Sequence, residues 1–228
     1  MPRFELLSPS LHAKLKIKSE NVPHFTPVVT SEFFTAAASC PIMLTKEAET
    51  GRFYAGVVLS LKPGEPPLKT IEERGGFNPL SLQCSGFYIS ENNIVVDRDS
   101  PRFSDSEGGQ LFTDSLQPGD NLRQIQQALG KYHAGIEMTQ IFIRSLSELK
   151  LIEPVDMSLK FDNGERLTLQ GLYTVSLDAI RDMDDATALT LFRAGHLELI
   201  YVLAASLQHF NVLAHLRNQQ IIQSKKLN

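Results

Sequence analysis

Apolar positions along this chain fall into short alternating runs first and helical spacing later. IMLTK and FYAGVVLSL, between Ile42 and Leu61, read as strands with ETG as the turn, and predict an antiparallel hairpin. SGFYIS and NNIVVD predict a second pair with its bend at ENN. The first 26 residues read as an arm: LKIK alternates, and Pro23 and Pro27 stop a helix from running through. PVVT is a short β-like run, Ser31 is positioned to cap a helix in EFFTAAAS, and Pro41 ends it.

From Asp120 the period lengthens. Leu122, Ile125 and Leu129 recur at helical spacing, with Asp120 or Asn121 as the N-cap. Gly130 and Gly135 are expected to interrupt this helix. A second amphipathic helix then runs from Thr139 to Leu149, ended by Glu153–Pro154. VDMSLKF and RLTLQGLYTV are the clearest strands, joined by Asp162–Asn163–Gly164, since Asn-Gly supplies the positive φ of a tight hairpin. Ser176 and then Asp184 or Asp185 open short helices, and Gly195 closes the second. The final stretch, HLELIYVLAASLQHFNVLAHLRNQQIIQ, is apolar on nearly every side through Ala205, which predicts a buried helix.

The sum is an α+β chain, with an antiparallel sheet built from hairpins and a mainly helical C-terminal half. Residues 1–26 form the expected arm, 27–220 a single domain with any subdivision near 117, and 221–228 a tail. Composition agrees with a globular chain: 228 residues, 42% hydrophobic and 21% charged, long enough to bury a core without a metal or disulfide. The net charge of −4 and the lack of a basic run argue against nucleic acid as a partner. Cys40 and Cys84 show no metal spacing and read as buried thiols. The N-terminus has no secretory apolar core, and LELIYVLAASL is about half the roughly 20 residues of a membrane span, so a cytoplasmic protein is expected.

Chemistry is sparse. No phosphate loop, dinucleotide fingerprint or nucleophile elbow occurs. His209 and His215 are six residues apart, so they do not share a helix face as metal ligands, and no metal or cofactor is expected. Asp182, Asp184 and Asp185 read as helix-capping carboxylates, and the acidic loop 97–107 as a solvated one. Glu32 lies in an otherwise apolar run and reads as a capping carboxylate after Ser31. Tyr173 reads as a packed core tyrosine.

The segments Pro27–Val28–Val29, Glu32–Phe33, Pro41–Ile42, Gly108–Gly109–Gln110–Leu111–Phe112 and Leu151–Ile152–Glu153–Pro154 form an ordered series. It continues through Asp162–Asn163–Gly164, Gly171–Leu172–Tyr173, Gly195 and Ser206–Leu207. Together they resemble the SapC-like family of bacterial proteins, also described as related to surface-layer proteins, over roughly residues 20–216. One segment departs. Such proteins tend to carry a Gly-Glu-Asn-Leu-Phe-type run followed by tryptophan, whereas this chain has Gly64–Glu65–Pro66–Pro67–Leu68 and no tryptophan. The resemblance implies no catalytic mechanism. Family genes often neighbour those of TonB-dependent receptors and flavin-dependent halogenase-like enzymes, which points to an accessory role in uptake or peptide modification. The peptide-transporter permease of the same name is not meant.

The leading expectation is a non-catalytic accessory or adaptor protein that binds a protein or peptide. Strand edges near residues 14–18 or 53–61 would accept an extended peptide, and the C-terminal helix would form a homodimer. The alternative is an enzyme or enzyme subunit acting on a peptide or small metabolite, with a scattered site drawn from Glu32, Arg144 and Tyr173. A structural surface-layer component is the third reading.

Overall fold

The computed structural model describes residues 3–18 and 21–227, and confirms an α+β fold in which every paired strand is antiparallel. The chain divides into two compact units. One comprises Met1–Val22 and Asn78–Ala134, the other Pro23–Phe77 and Gly135–Asn228.

In the first unit, Phe4–Leu6 pairs with Asn93–Asp97, which pairs in turn with Phe87–Ser90 as the hairpin pattern predicted. Lys16–Ile17 lies between Phe103–Ser104 and Gly109–Gln110. The segment expected to be an arm is thus strand-paired. The reason is Leu15, which is buried with Phe87, Val96, Leu111 and Leu122 in the core of this unit. Both sides of Lys16–Ile17 are occupied, so the peptide-accepting edge expected at residues 14–18 does not exist. Gly108 explains part of the GGQLF signature: at φ +105°, a Cβ there would stand 2.1 Å from the carbonyl oxygen of Ile17.

The second unit holds a five-stranded sheet in the order Ile152–Pro154, Leu172–Val175, Ile42–Lys46, Phe53–Val58, Phe25–Pro27. The expected hairpin of Ile42–Lys46 and Phe53–Val58 is present, closed by the Glu47 N–H to the Arg52 carbonyl. Phe53–Val58 is interior, however, because Phe25–Pro27 covers its other side. The Ala55–Val58 part of the second proposed edge, at 53–61, is therefore already paired. Met157–Lys160 and Arg166–Leu169 form the predicted Asn-Gly hairpin, with Gly164 at φ +85°. The strand then ends earlier than its pattern suggests. Gly171, at φ +71°, turns the chain so that Leu172–Val175 joins the larger sheet instead.

Helix boundaries needed the most correction. Asp120–Glu148 is one continuous helix of 29 residues. Gly130 has nothing near its Cβ position, and its cost of roughly 1 kcal/mol is too small to break a helix of this length. Gly135 is the site of close approach to Val29, where a Cβ would lie 2.6 Å from Cγ2. The helix stops at Lys150, which takes φ +55°, while the Leu151 N–H closes onto the Leu146 carbonyl at 2.8 Å. Glu153–Pro154 belongs to a strand, not to the helix end. Ser31 caps nothing; Thr30–Glu32 is a single 3-10 turn leading into Phe33–Ala37. Ser176, Asp184 and Gly195 act as predicted. The final stretch is two helices, His196–Ser206 and His209–Leu227, separated by a turn at residues 207–208.

The core of this unit gathers Met43, Val58, Leu61, Leu68, Phe161, Leu169, Phe210 and Leu213. Burying a side chain of this kind stabilises by about 1.5–3 kcal/mol. This cluster ties the sheet, the Asn-Gly hairpin and the last helix together, and it forms the floor beneath the site described next.

Candidate ligand-binding site

Three elements of the second unit converge on one cavity. The first is the loop after Phe53–Val58. Leu61 and Leu68 are buried, and between them the chain makes a tight excursion with Gly64 at φ +81°. The Ser60 hydroxyl donates to the carbonyls of Lys62 and Glu65 at 3.2 and 3.1 Å, and the Leu68 N–H to that of Leu59 at 2.9 Å. These bonds hold the loop shut at its base and leave Lys62 and Glu65 at its rim. Further on, Thr70 and Glu73 exchange hydrogen bonds in a capping box. The buried Arg74 donates to the carbonyls of Phe77 and Lys69 at 3.1 and 2.9 Å, and burial pulls its pKa down.

The second element is the C-terminal helix. Arg217, Gln220 and Ile221 stand at i, i+3 and i+4, on one face. The third is the Asn-Gly hairpin, which carries Glu165 just before Arg166–Leu169. Arg217 sits at the centre and is only 9% exposed. Its guanidinium lies 5.1 Å from the centroid of the Phe161 ring. Nη1 donates to Glu65 Oε2 at 2.5 Å, and Nη2 to both oxygens of Glu165 at 3.4 Å. Lys62 pairs with Glu165 from the other side. Burial opposes the charge of Arg217, but Glu65 and Glu165 outweigh it and raise its pKa. The hydrogen bond from Lys62, followed by the charge of Arg217, holds the Glu165 carboxyl below its usual range.

The cavity beside this network measures about 320 Å³ and is lined by Glu65, Pro66, Leu68, Arg217, Gln220 and Ile221. One atom is out of balance. Arg217 Nε is buried and has no hydrogen-bond partner. Leaving a buried donor unmatched costs about 1–3 kcal/mol, and more when the group is charged. The lining includes no Ser, Cys or His. Glu165 behind it is driven toward permanent ionisation, away from the pKa near 7 that a general base needs. The arrangement offers a ligand an apolar wall with a few placed polar groups.

None of the three residues singled out from the sequence lines this cavity. Glu32 is buried, and its Oε2 accepts the Val29 N–H at 3.0 Å, so it does cap a turn, though Ser31 does not. Arg144 is exposed on the long helix. Tyr173 is half-buried, edge-on to Phe53 at 4.9 Å, with Lys46 Nζ 5.4 Å from its ring. Among the described residues, no hydrogen bond, ion pair or ring contact joins Arg144 or Tyr173 to Glu32.

The other candidate groups have structural work. Asp184 caps Asp185–Arg193, accepting the Thr187 N–H at 3.0 Å and its hydroxyl at 2.7 Å, which lowers its pKa. His196 packs edge-on against Phe142 at 5.4 Å, and burial lowers its pKa. His209 Nε2 donates to the Ala37 carbonyl at 2.8 Å. Cys40 and Cys84 are buried and not disulfide-bonded; the Cys84 thiol donates to the Leu80 carbonyl at 3.0 Å, and burial raises the pKa of Cys40. Among the described residues, no three His, Cys, Asp or Glu side chains gather to hold a metal. The apolar run of the last two helices is longer than LELIYVLAASL suggested: His196–Gln223 is long and apolar enough to cross a membrane, by length and composition. Yet Ile200, Leu203, Phe210 and Leu213 are buried, and the Ser206 hydroxyl accepts the Ile42 N–H at 2.8 Å. These bonds and contacts fix one side of the helices to the core, while Tyr201, Val212 and Ile222 are exposed.

A family model described as SapC matches residues 7–213. The chain belongs to the SapC family. No curated protein and no solved structure matches it. The SapC match contains Glu65 and Glu165, whereas Arg217, Gln220 and Ile221 follow its end. The loop Gly64–Leu68, read from the sequence as departing from the family's usual run, supplies Glu65, Pro66 and Leu68 to one wall of the cavity. That departure was the one sequence signal pointing here.

Proposed function

We propose that this SapC family protein is a non-catalytic accessory factor that holds a segment of a partner protein in the cavity between Gly64–Leu68 and the C-terminal helix. The observation that carries this reading is Arg217: nine-tenths buried, paired with two carboxylates, and part of the wall of an open cavity beside apolar side chains. Sites for ligands are commonly concave, mostly apolar, and furnished with a few placed polar groups. Pro66, Leu68 and Ile221 provide the apolar part, and Glu65, Gln220 and Arg217 the polar part. A TonB-dependent receptor or a halogenase-like enzyme is the partner class to which the family resemblance directs the search.

The test is a paired affinity purification from the native cells, using tagged wild type and tagged Gln220→Trp. Gln220 is exposed, so the larger ring occludes the cavity without disturbing the core. A partner recovered in stoichiometric amount with wild type and lost with the variant supports the proposal. Equal recovery with both proteins refutes it.

A further inference from the structure

We infer that the cavity takes an uncharged peptide unit with one apolar side chain, from within a partner's chain and not from its charged ends. This rests on the binding role proposed for the cavity and specifies what that role selects. At about 320 Å³ the space lies at the lower end of the range for ligand sites, roughly 300–1,000 Å³, so it suits a residue or two.

The polar rim carries both halves of a peptide's hydrogen-bonding needs. Glu65 Oε2 accepts from Arg217, while among the described residues no hydrogen bond engages Oε1, which suits a peptide N–H. Among the described residues no hydrogen bond engages the exposed Gln220 amide, which suits a peptide carbonyl, while Arg217 Nε is buried within the wall. Pro66 and Pro67 have no N–H, so this wall does not extend a β-ladder. Side chains, not backbone pairing, therefore make the recognition. Pro66, Leu68 and Ile221 receive the apolar side chain.

Charge excludes the chain termini. Lys62 and Arg217 balance Glu65 and Glu165. A free carboxylate entering beside Arg217 meets two carboxylates already there. A free ammonium entering beside Glu65 meets Arg217, already bound to that carboxylate. Like-charge contact penalises each, and specificity follows from that repulsion as much as from attraction.

The experiment is an amide-resolved NMR titration of the full chain with acetyl-Ala-Leu-Ala-amide. Three comparison peptides accompany it: the same sequence with free termini, and blocked versions with Lys or Glu in the centre. The expected result is saturable shifts at Leu68, Gln220 and Ile221, with the blocked leucine peptide binding at least about tenfold more tightly than the other three. Gln220→Trp weakens that binding by a similar factor. A charged peptide binding as tightly at the same residues overturns the selectivity and leaves the cavity's binding role standing. Absence of saturable shifts for all four peptides, shifts confined to other residues, or unchanged binding in the variant overturns both.

Discussion

Arg217 Nη1 donates to Glu65 Oε2 at 2.5 Å, joining residues 152 positions apart. This bond fastens the last helix to the loop that leaves the sheet. Removing one member of a fully buried pair costs about 3–5 kcal/mol. Here the Glu65 and Glu165 side chains remain 34% and 25% exposed and rehydrate when freed. The expected loss for Arg217→Met is therefore about 1–2 kcal/mol, and for Glu65→Gln below about 1 kcal/mol. Urea unfolding of the two variants and the double variant measures both values and their coupling. Strict additivity would show that the bond contributes nothing.

Acid stability follows from Glu165. Its folded pKa is depressed below the ordinary 4.5 by Lys62 and then Arg217. The unfolded chain therefore binds this proton first. The stabilisation is complete above about pH 4.5 and is lost as pH falls from there through the folded pKa. Glu165→Gln abolishes this share of the acid slope. Unfolding midpoints taken between about pH 3 and pH 6 check it, and a variant with an unchanged slope contradicts it.

His196 supplies a second pH effect at a higher range. Burial pushes its pKa below 6.5, and His24 is shifted the same way for the same reason. Both are favoured as neutral rings in the folded protein. Their contribution is full above about pH 6.5 and falls as pH drops toward the folded values, because the unfolded chain takes up protons first. Imidazole NMR titration is expected to place His196 below 6.5. His196→Leu reduces the slope just under that pH and leaves the part due to His24.

The two glycines of the long helix are expected to respond in opposite directions. Gly130 has open space at its Cβ position, so Gly130→Ala stabilises by about 0.5–1 kcal/mol. Gly135→Ala drives a methyl into Val29 and destabilises by about 1–3 kcal/mol. Val29→Ala restores part of that loss. Thermal unfolding of the three variants is sufficient, and a stabilising Gly135→Ala would show that the close approach is not real.

That contrast illustrates what was legible in the sequence. Local chemistry was readable: the Asn163–Gly164 turn, the Asp184 cap and the Gly195 stop depend on residues within a few positions of one another. Glu32 was correctly read as capping, and Tyr173 as packed. Errors arose where a distant segment decided the outcome. Gly135 looks like a helix breaker until Val29 is seen against it. Residues 56–58 look like an edge until Phe25–Pro27 is seen to cover them. The cavity was hidden for the same reason. Lys62, Glu65, Glu165 and Arg217 lie in three separate segments, and no local pattern announces that their charges balance. Only the departure of Gly64–Leu68 from the SapC pattern marked the place.

The most direct test of the binding role is methyl NMR of the full chain as the co-purified partner is added. The proposal predicts that the Leu68 and Ile221 methyl signals shift and saturate at one partner per chain. Leu189, exposed on the helix Asp185–Arg193, should stay in place. Movement of Leu189 with Leu68 and Ile221 unchanged would put the partner on the exposed apolar helices and contradict the site proposed here.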